Sequence, residues 1–186
     1  MRVDGDRRVG TSMVCSIHFQ KGRIMIERVD HVNLVVRDLD VMIAFYTEVL
    51  TLQVTKRVAI HGDWVDRVVG LQGVDAEVVY LESDGDTWIE LIHYRAPAGK
   101  TADGVEWPNT YGIRHLAFRV ADMDTTVAAL RQAGVTLLGH VETVPTAQVT
   151  YTEDVRKRLV YFRDPEGNLL ELCSYQKTGR GEGNGK

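Results

Sequence analysis

Apolar residues recur along this chain with two alternating periods. Over 29–36 they alternate with polar positions and are rich in β-branched side chains, Val32, Leu34 and Val36 sharing one face, which predicts a strand. Leu39, Met42, Ile43, Tyr46 and Leu50 then fall at helical spacing behind Asp38 or Asp40, either of which suits a helix N-cap. Three apolar segments follow, around 53–59, 76–81 and 87–94. The succession then starts again. Residues 113–120 read as a strand, Asp122 or Asp124 as a cap, Met123, Val127, Leu130 and Ala133 as the buried stripe of a helix that Gly134 ends, and 136–141, 159–163 and 168–175 as three further strands.

The two successions are one repeated unit. Asp30-His31-Val32-Asn33-Leu34-Val35-Val36-Arg37-Asp38-Leu39-Asp40 matches Arg114-His115-Leu116-Ala117-Phe118-Arg119-Val120-Ala121-Asp122-Met123-Asp124, with His over His and both later aspartates over aspartates. The stretch 84–94 aligns with 164–175 with one inserted residue in the turn, placing Glu90 over Glu171 and Tyr94 over Tyr175. The expected organisation is an N-terminal extension at 1–28, a first βαβββ module at 29–95, a Pro- and Gly-containing linker at 96–111, a second βαβββ module at 112–176 and a Gly-rich flexible tail at 177–186. The fold class is α+β.

Composition removes several kinds of partner. With 22 basic and 26 acidic residues well mixed along 186, the net charge of −4 provides no broad basic surface for nucleic acid or anionic lipid. Cys15 and Cys173 stand far apart, without the spacing of a disulfide framework or thiolate zinc site. No apolar run approaches the roughly 18 residues that span a bilayer, and 13–19 is too short and polar for a secretory core. These features predict a soluble, cytoplasmic protein acting on a small molecule.

Strand parity isolates the candidate chemistry. His31 lies opposite the apolar face of its strand, with Asn33 and Val35; His115 does the same with Ala117 and Arg119. Glu90 opposes Ile89 and Leu91, and Glu171 opposes Leu170 and Leu172. A carboxylate amid apolar residues in mid-strand is costly unless paired or metal-bound, and here two equivalent ones each accompany a histidine. His31, Glu90, His115 and Glu171 therefore read as ligands of one divalent ion, with Zn, Ni, Co, Mn and Fe all compatible with two imidazoles and two carboxylates. Four such ligands in an octahedral sphere leave two cis positions for water or a bidentate oxygen substrate.

On these residues the chain resembles the vicinal oxygen chelate superfamily, the glyoxalase/bleomycin-resistance/dioxygenase group. The similarity rests on Val29-Asp30-His31-Val32, Phe45-Tyr46-Thr47-Glu48-Val49-Leu50, the 113–120 strand and the closing Phe162-Arg163-Asp164-Pro165-Glu166-Gly167-Asn168-Leu169-Leu170-Glu171-Leu172. It spans about 29–176. Thr51 departs from the pattern, since members commonly carry Gly after this helix. The resemblance implies paired modules forming an eight-stranded cup with helices outside, a ligand from the first and fourth strand of each module, and activity like glyoxalase I (lactoylglutathione lyase) or methylmalonyl-CoA epimerase. Both reactions begin with removal of a proton beside a carbonyl. Glu171 would be the main base as well as a ligand, with Glu90 its partner; the substrate would be a glutathione or coenzyme A compound, and a homodimer is expected.

Two other functions fit the same resemblance. An extradiol-type Fe(II) dioxygenase would use His31, His115 and Glu171 and have no use for Glu90. A metal-free drug-binding resistance protein would have no use for any of the four. Weaker features are Arg156-Lys157-Arg158 as a grip for a phosphate or carboxylate, and Trp64, Arg67, Trp88 and Trp107 as pocket walls, for which core packing or a solvated edge is the simpler expectation. His93 shares a strand with Glu90 at the wrong parity to meet it, and His18, His61 and His140 have no matched partner.

Overall fold

The computed structural model of the chain describes residues 26–83, 86–148 and 155–177, with side chains of 86–88 outside the description. Cys15, His18, most of the 1–28 extension, nearly all of the 177–186 tail and the Trp88 side chain lie outside the described residues. The architecture is α+β, with two tandem βαβββ units. The first comprises β1 (Val32–Val35), α1 (Leu39–Ala44), β2 (Gln53–His61), α2 (Asp63–Val69), β3 (Asp75–Ser83) and β4 (Asp86–Ala96). The second comprises β5 (His115–Arg119), α3 (Met123–Gln132), β6 (Glu142–Thr143), β7 (Val155–Arg163) and β8 (Leu169–Lys177).

The eight strands divide into two four-stranded sheets, ordered β1-β4-β3-β2 and β5-β8-β7-β6. In each the first strand runs parallel to the fourth, because a helix and two strands intervene, and the remaining pairs are antiparallel. The strand that His31 precedes, β1, and the strand that His115 opens, β5, are consequently edge strands.

The helices α1 and α3 are capped as their sequences dictate. The Asp38 carboxylate accepts from the Val41 N–H, and that of Asp122 accepts from Asp124 and Thr125. α3 closes through Gly134 at φ 79°, with Val135 N–H donating to Leu130 O. α1 instead widens into a π turn over Phe45–Val49 and ends on Thr51, the one non-glycine residue at positive φ (60°) among the described residues. Thr51 thus takes the left-handed conformation that glycine adopts without strain.

The inward faces of both sheets and the buried stripes of α1 and α3 form one core. Met42, Tyr46, Leu81, Ile89 and Leu91 meet Met123, Leu130, Phe162, Leu170 and Leu172 there, each fully buried large side chain contributing roughly 1.5–3 kcal/mol. Polar contacts clasp the units at the same seam. Tyr46 donates to Asp164 (3.2 Å), and the backbone N–H groups of Arg37 and Asp38 donate to Glu166 Oε1 at 2.7 and 2.8 Å.

Two expectations need correction. Residues 136–141 do not form a strand: Leu137 makes a single bridge to Phe162, and the paired segment is the two-residue β6 at 142–143, since Gly139 and His140 leave the sheet with no face to bury. Conversely, α2 lies where no element was expected. Gly62 and Gly70, both at positive φ, bracket it, the Asp66 carboxylate ties down the N–H groups of Gly73 and Val74, and Val65 packs with Val74, Ala76, Val78 and Ile92 in a second small core.

Candidate metal centre

The alternation that turns Val32, Leu34, Ile89 and Leu91 to the core side, where Ile89 and Leu91 are buried, turns His31, Asn33 and Glu90 to the other face of the first sheet. His31 stands one residue before β1. Its Nδ1 contacts Asp30 Oδ2 at 2.9 Å, leaving Nε2 3.5 Å from Glu90 Oε2, the arrangement in which a carboxylate orients a ligating imidazole. The hydrogen bond with His31 holds the Asp30 carboxyl below the usual range. Asn33 Nδ2 donates to the same Glu90 oxygen at 2.7 Å.

The second sheet repeats the pair. His115 opens β5, and its Nε2 lies 3.4 Å from Glu171 Oε2. Glu171 is 3 % exposed and also receives Lys157 Nζ at 3.1 Å on Oε1. Donors each about 2.0–2.2 Å from one divalent ion stand roughly 3–3.5 Å apart, so each imidazole–carboxylate pair has the span and the donor chemistry of two adjacent ligands.

A third residue recurs in each half. Tyr80 is the cross-strand partner of Glu90, and Tyr161 that of Glu171. Burial and then the hydrogen bond to Glu90 raise the Tyr80 pKa; burial and then the Glu171 charge raise that of Tyr161, whose ring also meets His115 edge-on at 5.2 Å. The sequence reading missed both tyrosines. A signal was present: Tyr80 and Tyr161 each stand ten residues before their glutamate.

The structure brings His31 to Glu90 and His115 to Glu171, and among the described residues no group of three or more His, Cys, Asp or Glu side chains converges. The four residues expected at one ion thus stand in this chain as two separate His–Glu couples. The units meet through their core faces, and the couples lie on the sheet faces turned away from that core. The cleft beside the linker, near 390 Å³ and lined by Arg37, His93, Lys100 and Glu166, includes none of the four.

The remaining candidates fall elsewhere. The run 156–158 is split by strand alternation: Lys157 faces Glu171, whereas Arg158 makes a bidentate pair with Asp124 on the helix side, at 2.7 and 2.9 Å. It is not a single anion grip. His93 Nδ1 lies 3.1 Å from Val36 O, away from Glu90 as its parity requires. Trp64 and Trp107 are exposed and belong to no core. No helix among the described residues is long and apolar enough to cross a membrane.

Comparison with known proteins places this geometry in a lineage. The sequence profile of the glyoxalase/bleomycin resistance protein/dioxygenase superfamily matches residues 28–172. A 2-epi-5-epi-valiolone epimerase of an Actinomyces species is 33% identical over 150 residues, covering 78% of each chain. A glyoxalase family protein of Bacillus cereus is similar in structure, with a TM-score of 0.67 and 31% identity over 82% of this chain and 97% of its own. The trypanothione-dependent glyoxalase I of Leishmania major shares the fold, with a TM-score of 0.53 and 23% identity over 80% of this chain and 87% of its own. The duplicated unit and these matches together make the chain a member of the glyoxalase/bleomycin resistance protein/dioxygenase superfamily.

Proposed function

We propose that this protein is a metal-dependent isomerase or lyase that removes a proton from carbon beside a carbonyl, at a site completed by a second copy of the chain. The observation that carries this reading is the pair of matched His–Glu couples, at 3.5 and 3.4 Å, on equivalent strands of a duplicated fold. A divalent ion held by His31 and Glu90 of one copy with His115 and Glu171 of the other would supply Lewis-acid stabilisation of the oxyanion that develops on the substrate carbonyl. Every other function belongs to the chain itself. Glu171 takes the proton and returns it, with Glu90 facing it across the site; Tyr80, Tyr161 and Asn33 hold the carboxylates in place.

The position of the couples supports a dimer. Each has its histidine at an edge strand, β1 or β5, and apolar residues gather beside that histidine: Val29 and Val35 flank His31, while Tyr111 and Ile113 precede His115, all exposed. Such residues at open sheet edges favour burial against another chain. The similarity to an epimerase supports proton transfer over the oxygen chemistry of a dioxygenase, because inverting a C–H centre needs proton removal and return but no oxidant.

The test uses metal-loaded protein in deuterated buffer with three probes: the hemithioacetal of methylglyoxal and glutathione, methylmalonyl-CoA, and a catechol with oxygen. Deuterium entering the carbon beside the carbonyl in either of the first two, and lost in Glu171→Gln, supports the proposal. Ring cleavage of the catechol without exchange in the others would replace it with the dioxygenase reading.

A further inference from the structure

Because the chain is duplicated, each half serves as a control for the other: what the fold or the metal couple requires should recur, and what differs on the site face serves something only one half contacts. The His, Glu and cross-strand Tyr recur. Among the positions on that face where the halves diverge, two exchange an apolar residue for a cation. Val35, level with Ile92 in the first sheet, corresponds to Arg119, level with Cys173 in the second. Ala76, opposite Tyr94, corresponds to Lys157, opposite Tyr175.

The consequences differ accordingly. Tyr94 joins the apolar cluster under α2 with Ala76, Val78 and Ile92. Tyr175 instead lies between two cations, with the Arg119 guanidinium 5.2 Å and Lys157 Nζ 5.9 Å from its ring centre. Neutralising a buried carboxylate does not explain the pair, since Arg119 is exposed and its guanidinium meets the Tyr175 ring. Lys157 spends one contact on Glu171 and, as an ammonium, has further donors.

We propose that Arg119 and Lys157, on the strands either side of Tyr175, form an oxyanion-binding subsite that holds a carboxylate or phosphate of the substrate over the second half of the site. Arg119 stands about 7 Å along the sheet from the level of Glu171, at two residues of strand rise, while Lys157 Nζ reaches Glu171 Oε1 at 3.1 Å. It deepens the proposed function by specifying an asymmetric, anionic substrate, and it rests on that reading for the site it serves. Arg156 and Arg158, on the opposite face, are not part of it.

Calorimetric titration of inorganic phosphate and of malonate into metal-free and metal-loaded protein tests this without turnover. Arg119→Val and Lys157→Ala install the first half's residues; Arg156→Ala is the control for general charge. One or both anions should bind the wild type, at least tenfold more weakly to each of the two variants, and unchanged to Arg156→Ala, while metal content of Arg119→Val stays at the wild-type level. The preferred anion identifies the substrate group. Equal affinity in Arg119→Val, equal loss in Arg156→Ala, or no binding to the wild type would overturn the clamp. A protein that takes up no metal but still binds anions through Arg119 would overturn the metal reading alone.

Discussion

Glu90 and Glu171 occupy equivalent positions yet have different neighbours: Asn33 and Tyr80 for the first, Lys157 and Tyr161 for the second. Outer partners of this kind fix a ligand's orientation, and losing one commonly weakens metal binding about 10–100-fold. Tyr80→Phe and Tyr161→Phe should each reduce metal affinity by roughly tenfold while leaving the unfolding midpoint of the metal-free protein within a degree or two of the wild type. The faces of the four proposed ligands were legible in the sequence because alternation assigns them. The Asn33 and Tyr contacts were not, because they depend on cross-strand register, which alternation leaves open. Asp164 illustrates a second kind of residue, one whose family wording is structural. Buried beneath Tyr46 and bonded to Asn168, its carboxyl has a raised pKa, burial outweighing the hydrogen bonds. A raised pKa means that the folded chain holds this proton more tightly than the unfolded one. The stabilising contribution is therefore complete below about pH 4, the ordinary aspartate value, and declines as pH rises towards the folded value. Urea unfolding of wild type and Asp164→Asn across that range should show the wild type losing ground to the variant as pH increases; a gain would contradict the assignment.

At the scale of elements, strands and helix caps were readable because capping residues and period are local properties. Asp38, Asp122 and Gly134 act where their types suggest. α2 was not readable: with seven residues, only Val65 of it is buried, too little for a helical period to emerge. Thr51 shows a local rule overridden. The turn after α1 needs a left-handed residue, and Leu52 N–H donates to Tyr46 O across it whether or not glycine is present. A β-branched side chain there costs on the order of 1–2 kcal/mol, partly returned because glycine orders at a greater entropic cost. Thr51→Gly should raise stability by about 0.5–1 kcal/mol, measured by chemical unfolding, with no change in metal content; destabilisation would mean that the Thr51 side chain has a compensating contact.

For the whole molecule, the repeat announced two modules and one His–Glu couple from each, but not how the couples meet. That depends on which faces of the sheets join, and the shared core of Tyr46, Met42, Phe162 and Leu172 joins the faces opposite the couples. A second copy bringing β5 beside β1 would complete two sites related by a twofold axis, each residue contributing once to each. Complementation tests this most directly. His31→Ala and His115→Ala proteins should each lose tight metal binding and α-proton exchange, because every site in either homodimer lacks one ligand. Mixed in equal amounts and refolded together, they form heterodimers in which one site has both defects and the other has neither. The account predicts recovery of about a quarter of wild-type metal uptake and exchange; no recovery on mixing, or full metal uptake by a monomer, would contradict it.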